Sequence, residues 1–146
     1  MILHADSQPQ PGWPGAVIAH LNGATGSAGY FDLAFDDPSR AARFVAGWAN
    51  LRSRLFALPY GDQGLLAPRA LLCEVGVPEI PLMEDVALAR ALGRRRLRPI
   101  GHRIETSAEA YRRDGWVTRG AGNLWRLAQF LGGAAPERLA ERYRRR

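Results

Sequence analysis

Gly26-Ser27-Ala28-Gly29-Tyr30-Phe31-Asp32-Leu33-Ala34-Phe35-Asp36-Asp37-Pro38 is the stretch from which the fold is read. Tyr30, Phe31, Leu33 and Phe35 alternate closely enough with small or polar neighbours to predict a strand over residues 26–35. Asp37-Pro38 then marks a helix start, because an aspartate can cap free amides and proline's fixed φ suits the first helical position. Beyond it Phe44, Trp48, Leu51 and Leu55 share one face, with Arg40, Arg43, Asn50 and Arg54 on the other. That spacing predicts an amphipathic helix buried along its apolar side.

Upstream, residues 1–6 read as a short apolar strand with a polar tip, followed by the turn-rich Ser7-Gln8-Pro9-Gln10-Pro11-Gly12 and a helix over residues 13–21 carried by Val17, Ile18 and Leu21. Downstream, Leu58-Pro59-Tyr60-Gly61-Asp62-Gln63-Gly64 has the composition of an ordered loop. Leu65-Leu66-Ala67 suits a brief strand, and residues 69–75 a short helix. Pro78 and Pro81 break the chain before a helix that starts near Met83 and buries Val86, Ala89 and Leu92 or the neighbouring Leu88, ending in Arg94-Arg95-Arg96. Residues 97–104 suit a strand. From Ser107 the chain is helical, with a break at Gly132-Gly133 and a restart at Pro136. Alternating strands and helices predict a single α/β domain over residues 1–146, a layered sheet of three to four strands with helices on its faces and a helical C-terminal segment. So small a sheet leaves edge groups unpaired unless something covers them.

A length of 146 residues excludes a conventional two-domain enzyme, and 47% hydrophobic with 23% charged residues excludes disorder. The net charge is +6 and all twenty basic residues are arginines, so the surface attracts anions. Phosphate, diphosphate, nucleic acid and acidic lipid all satisfy that sign. No helix-turn-helix, zinc-ligand spacing or RNP-like pattern accompanies the arginine runs, so nucleic acid is not expected. Cys73, alone, is expected to be a small buried apolar residue, and a single cysteine points to a reducing compartment or simply to indifference. Residues 124–135 are interrupted by Arg126 and Gln129 and are too short to cross a bilayer. The expectation is a cytoplasmic protein, with a peripheral contact at the inner face of the membrane open through Trp116, Trp125 and Phe130; core packing explains the same aromatics.

Four groups can carry chemistry: His4-Ala5-Asp6, Gly61-Asp62-Gln63-Gly64, Met83-Glu84-Asp85, and Thr106-Ser107 with Tyr111-Arg112-Arg113. An aspartate at the end of a strand can hold a hard divalent cation, or simply cap the following turn. Glu84 and Asp85 fall in a first helical turn, where free amides and the macrodipole favour the ionised form a base needs; ordinary capping accounts for them equally. Pro78-Glu79-Ile80-Pro81-Leu82-Met83 would hold those carboxylates at a cleft. His20 is expected on a helix surface, and His102 on a strand, where it could add a metal ligand.

Taken together and in order, H-A-D, D-D-P, N-L-R-S-R-L-F, L-P-Y-G-D-Q-G, P-E-I-P-L-M-E-D-V and T-S-A resemble the C-terminal half of a family 2 glycosyltransferase. The likeness is to the bacterial radical-SAM or selenodomain-associated subgroup, some members of which are linked to arsenosugar biosynthesis. It implies a GT-A fold, a nucleotide-sugar donor, a hydroxyl acceptor and Mn²⁺ or Mg²⁺. By the same resemblance Asp6, with His4, holds the metal, and Asp85, beside Glu84, is the base of an inverting displacement. Gly61, Asp62 and Gln63 lie by the sugar and acceptor, and Arg112 or Arg113 steadies the leaving group. The subgroup carries T-S-A-R-R-W where this sequence reads Thr106-Ser107-Ala108-Glu109-Ala110-Tyr111. The T-x-N-E and D-G-S-x-D-G elements that bind the nucleotide in relatives do not precede Met1. The resemblance therefore implies a missing nucleotide-binding half, an isolated chain of impaired activity, and dependence on a separately encoded half or a homodimer. The alternative expectation is an inactive basic α/β fragment serving as a membrane-peripheral or partner-binding module.

Overall fold

The computed structural model describes residues 1–23 and 26–144, the side chain of Arg144 excepted. Its centre is β2 (Ala28–Phe35), the one strand with neighbours on both sides whose residues are buried almost without interruption. Around it come β1 (Ser7–Pro9), α1 (Trp13–Gly23), α2 (Arg40–Phe56), a 3-10 turn at Gly61–Gln63, β3 (Leu65–Leu66), α3 (Arg69–Val75) and α4 (Glu84–Leu92). The chain ends with β4 (Leu97–Thr106), α5 (Glu109–Asp114), α6 (Trp116–Leu131) and α7 (Pro136–Arg144). The sheet runs β1-β4-β2-β3, with β2 and β4 parallel and the two short edge strands antiparallel to them. The molecule is thus a mixed α/β structure, four strands flanked by helices.

A register shift between Tyr30 and Asp32 lets β2 serve two cores. Ala28 and Tyr30 pack with Leu71, Leu88, Ala89 and Leu92 of α3 and α4. Leu33 and Phe35, on the opposite face, pack with Ala42, Ala46 and Ala49 of α2 and with Ala108. Phe31, Val86 and Ile104 are completely buried, each worth about 2 kcal/mol of transfer free energy.

The expected strand over residues 1–6 is not formed. Ile2 instead makes an isolated antiparallel bridge to Leu65, its N–H donating at 2.8 Å, and the first true strand begins at Ser7 on the opposite edge. A flat sheet would hold Ile2, one spacing outside β3, about 19 Å from β1, four spacings away at roughly 4.8 Å each. The chain between Ile2 and Ser7 reaches at most about 17 Å, and a turn in which the Ser7 N–H donates to the His4 carbonyl shortens it further. The sheet therefore curls, and His4, Ala5 and Asp6 become a strap across its end.

The edge problem is solved by side-chain amides. β3 covers β2 only at Gly29 and Tyr30. Past it, Gln63 Nε2 donates to the Phe31 carbonyl at 3.1 Å. Asn50 Oδ1 accepts from the Leu33 N–H at 2.7 Å, and Asn50 Nδ2 donates to the Leu33 carbonyl at 3.1 Å. Asn50 thus imitates a strand neighbour where no strand exists.

That bonding sets the orientation of α2 and inverts the expected one. Ala42, Ala46, Ala49, Arg52 and Ser53 face inward, whereas Phe44 is 77% exposed and Trp48, Leu51 and Leu55 are about half exposed. Because Asn50 must reach the β2 backbone, its neighbours along the stripe go inward too, and alanines let the helix lie close. The cap is also displaced: Ser39 Oγ accepts from the Ala42 N–H at 3.1 Å, and Asp37 Oδ1 accepts from the Ser39 N–H at 2.8 Å. His20 is buried while Ile18 and Leu21 are exposed, the reverse of the expected face of α1. Cys73 is exposed rather than buried, since Leu71 is the side chain α3 turns into the core.

Candidate functional site

Parallel strands leave a crevice beyond their carboxyl ends, and here it lies past Phe35 of β2 and Thr106 of β4. The cleft has a volume of about 250 Å³ and is walled by segments far apart in sequence. His4 and Asp6 come from the strap, Tyr60, Gly61 and Asp62 from the loop after α2, Glu84 and Asp85 from the start of α4, and Tyr111, Arg119, Asn123 and Arg126 from α5 and α6.

Asp85 is the best-held carboxylate. Its Oδ2 accepts from the Gly61 N–H at 2.6 Å and its Oδ1 from its own helix, the Val86 N–H, at 2.7 Å. Burial pushes its pKa above the ordinary carboxylate range, and the two amide bonds only partly offset this. Gly61 lies against both residues: an added Cβ would sit in ordinary contact, 3.5 Å from Asp85 Oδ2 and from His4 Cδ2. Met83, just before the helix, takes a left-handed conformation at φ 67°, a strain of about 1 kcal/mol that turns Glu84 and Asp85 toward the cleft. Glu84 lines the opening and is exposed.

Across the cleft, His4 Nδ1 and Asp6 Oδ1 are 2.7 Å apart on the exposed strap. The Asp6 bond raises the imidazole pKa. Burial pushes Asp6 upward, but the His4 bond and charge outweigh it and its net shift is downward. Among the described residues no group of three or more His, Cys, Asp and Glu converges on one point. His102 lies elsewhere, its Nε2 3.0 Å from the Gln10 carbonyl oxygen.

Asp62 is shut in. Its Oδ1 is sealed from solvent without a hydrogen-bond partner, and burial pushes its pKa up to about 6 despite the pull of nearby Arg52. Tyr60 is similar: its hydroxyl is buried and unpartnered, its ring lies 3.6 Å under the Arg52 guanidinium, and burial pushes its pKa up to about 12.

Gln63 is brought near the site but does not line it. It is fully buried, and its Oε1 accepts from Ser53 Oγ at 2.6 Å, from the Tyr60 N–H at 3.3 Å and from Arg52 Nη2 at 3.5 Å. With its Nε2 on Phe31, it pins the cleft loop to α2 and β2. Gly64 completes the turn at φ +61°, where a Cβ would meet Leu3 Cδ2 at 3.0 Å.

Arg112 and Arg113 lie apart from the lining. Arg112 pairs with Asp36 at 3.3 Å and Asp37 at 3.5 Å, and Arg113 with Asp114 at 2.8 Å. Among the described residues, the arginines that reach the cleft are Arg119, bonded to Asp114 at 2.7 Å, and Arg126, bonded to Asn123. Neither stood out in the sequence, because a helical arginine carries no local mark of the direction it faces. Tyr111, which stands where the resemblance leads one to expect an aromatic, stacks on Trp116 with ring centroids 4.9 Å apart and meets Phe35 edge-on. Trp116 is therefore half-buried against the core beside Phe35, while Trp125 faces outward.

Among the described residues no helix is long and apolar enough to cross a membrane. Comparison with protein-family models, curated sequences and solved structures finds no match to this chain.

Proposed function

We propose that the cleft is the acceptor and catalytic-base side of a nucleotide-sugar-dependent, inverting glycosyltransferase site. The observation that carries this reading is the meeting of Asp6, Asp62 and Asp85 in one opening, beyond the ends of two parallel strands. The three come from separate segments of the chain, and two of them, Asp62 and Asp85, are held there against a desolvation cost that raises both pKa values.

In this reading Asp85 is the general base. Its carboxylate is oriented by the Gly61 and Val86 amides and made more basic by burial. It takes the proton of an acceptor hydroxyl as that oxygen bonds to the anomeric carbon, and the bond from that carbon to the diphosphate oxygen breaks. The nucleoside diphosphate leaves with the electron pair, and Asp85 returns its proton to solvent. Arg119 and Arg126 set positive charge against the developing negative charge. Asp6 and His4 are the residues to hold Mn²⁺ or Mg²⁺. The Asp6 carboxylate oxygen suits such hard ions, His4 would be the less usual nitrogen ligand beside it, and phosphate oxygens of the donor would have to supply further ligands. Such an ion, when bound, neutralises the leaving group.

The test is release of nucleoside diphosphate from a panel of nucleotide sugars, with and without Mn²⁺ or Mg²⁺. Slow, cation-dependent turnover is expected, falling at least 100-fold in Asp85→Asn. Turnover that survives in that variant removes Asp85 from the base role, and absence of turnover with every donor overturns the reading.

A further inference from the structure

A surface helix ordinarily buries its apolar stripe; α2 and α6 expose theirs. On α2 the stripe of Phe44, Trp48, Leu51 and Leu55 stands in solvent while the alanines of the opposite side pack on β2. On α6, Val117, Leu124, Trp125 and Leu131 are exposed, Val117 by 84%, whereas Arg119 and Arg126 reach the cleft on the other side. Phe44 and Trp48 border the same groove as Val117 and Leu124, so the two stripes are parts of one continuous face. Of the three aromatics that the sequence offers for a membrane contact, Trp125 lies on this face, while Trp116 and Phe130 are half-buried.

A contiguous apolar face marks a docking surface, and the charges beside this one indicate its partner. Every charged residue of α2 and α6 is an arginine. At 3.6 residues per turn the α2 stripe spans about 60° of arc, and Arg40, Arg43 and Arg54 fill about 60° immediately next to it. All three are exposed. Arg54 is paired with Asp32, but Arg40 and Arg43 form no ion pair among the described residues. A second copy is a poor occupant, because a two-fold contact uses one patch twice and neither helix offers a carboxylate to receive the other's arginines. Anionic lipid answers both parts of the face. Its phosphates meet guanidinium groups, and the boundary of headgroups and acyl chains takes Trp, Phe and Leu side chains from a helix lying in the plane.

We infer that the face formed by α2 and α6 docks on an anionic lipid surface, with Phe44, Trp48, Val117 and Trp125 entering the headgroup region and Arg40 and Arg43 against the lipid phosphates. The inference is independent of the transfer reading, since Asp6, Asp62 and Asp85 take no part in it.

The full chain is sedimented with phosphatidylcholine vesicles, with and without phosphatidylglycerol, at low and high salt. Binding at least tenfold tighter to the phosphatidylglycerol vesicles is expected, weakened by salt, with tryptophan emission quenched by brominated lipid tails. Arg40→Gln and Arg43→Gln should each weaken it about fivefold at low salt. Arginines elsewhere, such as Arg94, Arg95 and Arg96, can adsorb the chain by charge alone, so the decisive variant is apolar. Phe44→Ser combined with Trp125→Ser, two side chains that already lie in solvent, should weaken binding at least tenfold and abolish the quenching. Equal affinity for the two vesicles, binding to neither, or binding undiminished in the double variant overturns the inference. A dimer in size-exclusion chromatography that dissociates in the double variant overturns it in favour of self-association.

Discussion

Gln63 and Asp62 are adjacent in the chain and play opposite parts. Gln63 joins Ser53, Arg52, Tyr60, Phe31 and Asn50 through one buried amide. Replacing it by leucine leaves several of those groups unpaired, so Gln63→Leu should cost about 3 kcal/mol in denaturant unfolding and shift the cleft loop with it. Asp62 is costly when ionised. Its pKa is raised in the folded protein to about 6, so the folded state binds this proton more tightly than the unfolded chain does. The contribution is fully present below about pH 4 and lost as pH rises through about 6. Asp62→Asn should therefore stabilise the protein by roughly 3 kcal/mol at pH 8 and by little at pH 4. Equal gains at both pH values would show that charge is not the cause. The G-D-Q-G motif marked these positions in the sequence, but a motif does not say which side chain faces the cleft and which the core.

At the scale of elements, helices α3, α4 and α7 and strand β3 lie close to where the periodicity and the prolines put them. Their ends are set by local chemistry, which sequence carries. The inward faces of α1 and α2 are set by what they pack against. On α2 the observed orientation makes an unusual prediction: Leu51→Gln, on the apolar stripe, should change stability by less than about 0.5 kcal/mol. Ala46→Leu, on the alanine stripe that is buried against β2, should cost about 2 kcal/mol by overpacking. Thermal unfolding of the two variants checks this, and the reversed order would restore the face that hydrophobic spacing suggests.

For the whole molecule, the strap from Ile2 to Ser7 decides whether there is a site at all. It is clipped to β3 by the paired Ile2 and Leu65 backbone bonds and joined to β4 at Ser7 and Thr106. Ile2→Pro removes the N–H that donates to the Leu65 carbonyl, at a cost of about 1 kcal/mol. Once the strap loosens, His4 should lose the bond that raises its pKa. Its imidazole titration, followed by NMR, should move down toward 6.5, the ordinary value. An unchanged titration would mean that the His4 and Asp6 pair is held locally, independent of the sheet.

From sequence alone came the alternation of strands and helices, the loop carrying Tyr60, Gly61 and Asp62, and the acidic start of α4, because period, capping and turn chemistry act over a few residues. Tertiary structure alone decided that α2 turns its alanines inward, that Asn50 and Gln63 finish the edge of β2, and that Asp6, Asp62 and Asp85 face one cleft. Those outcomes depend on satisfying backbone groups and closing a curled sheet over the full length of the chain, and no window of neighbouring residues contains that information.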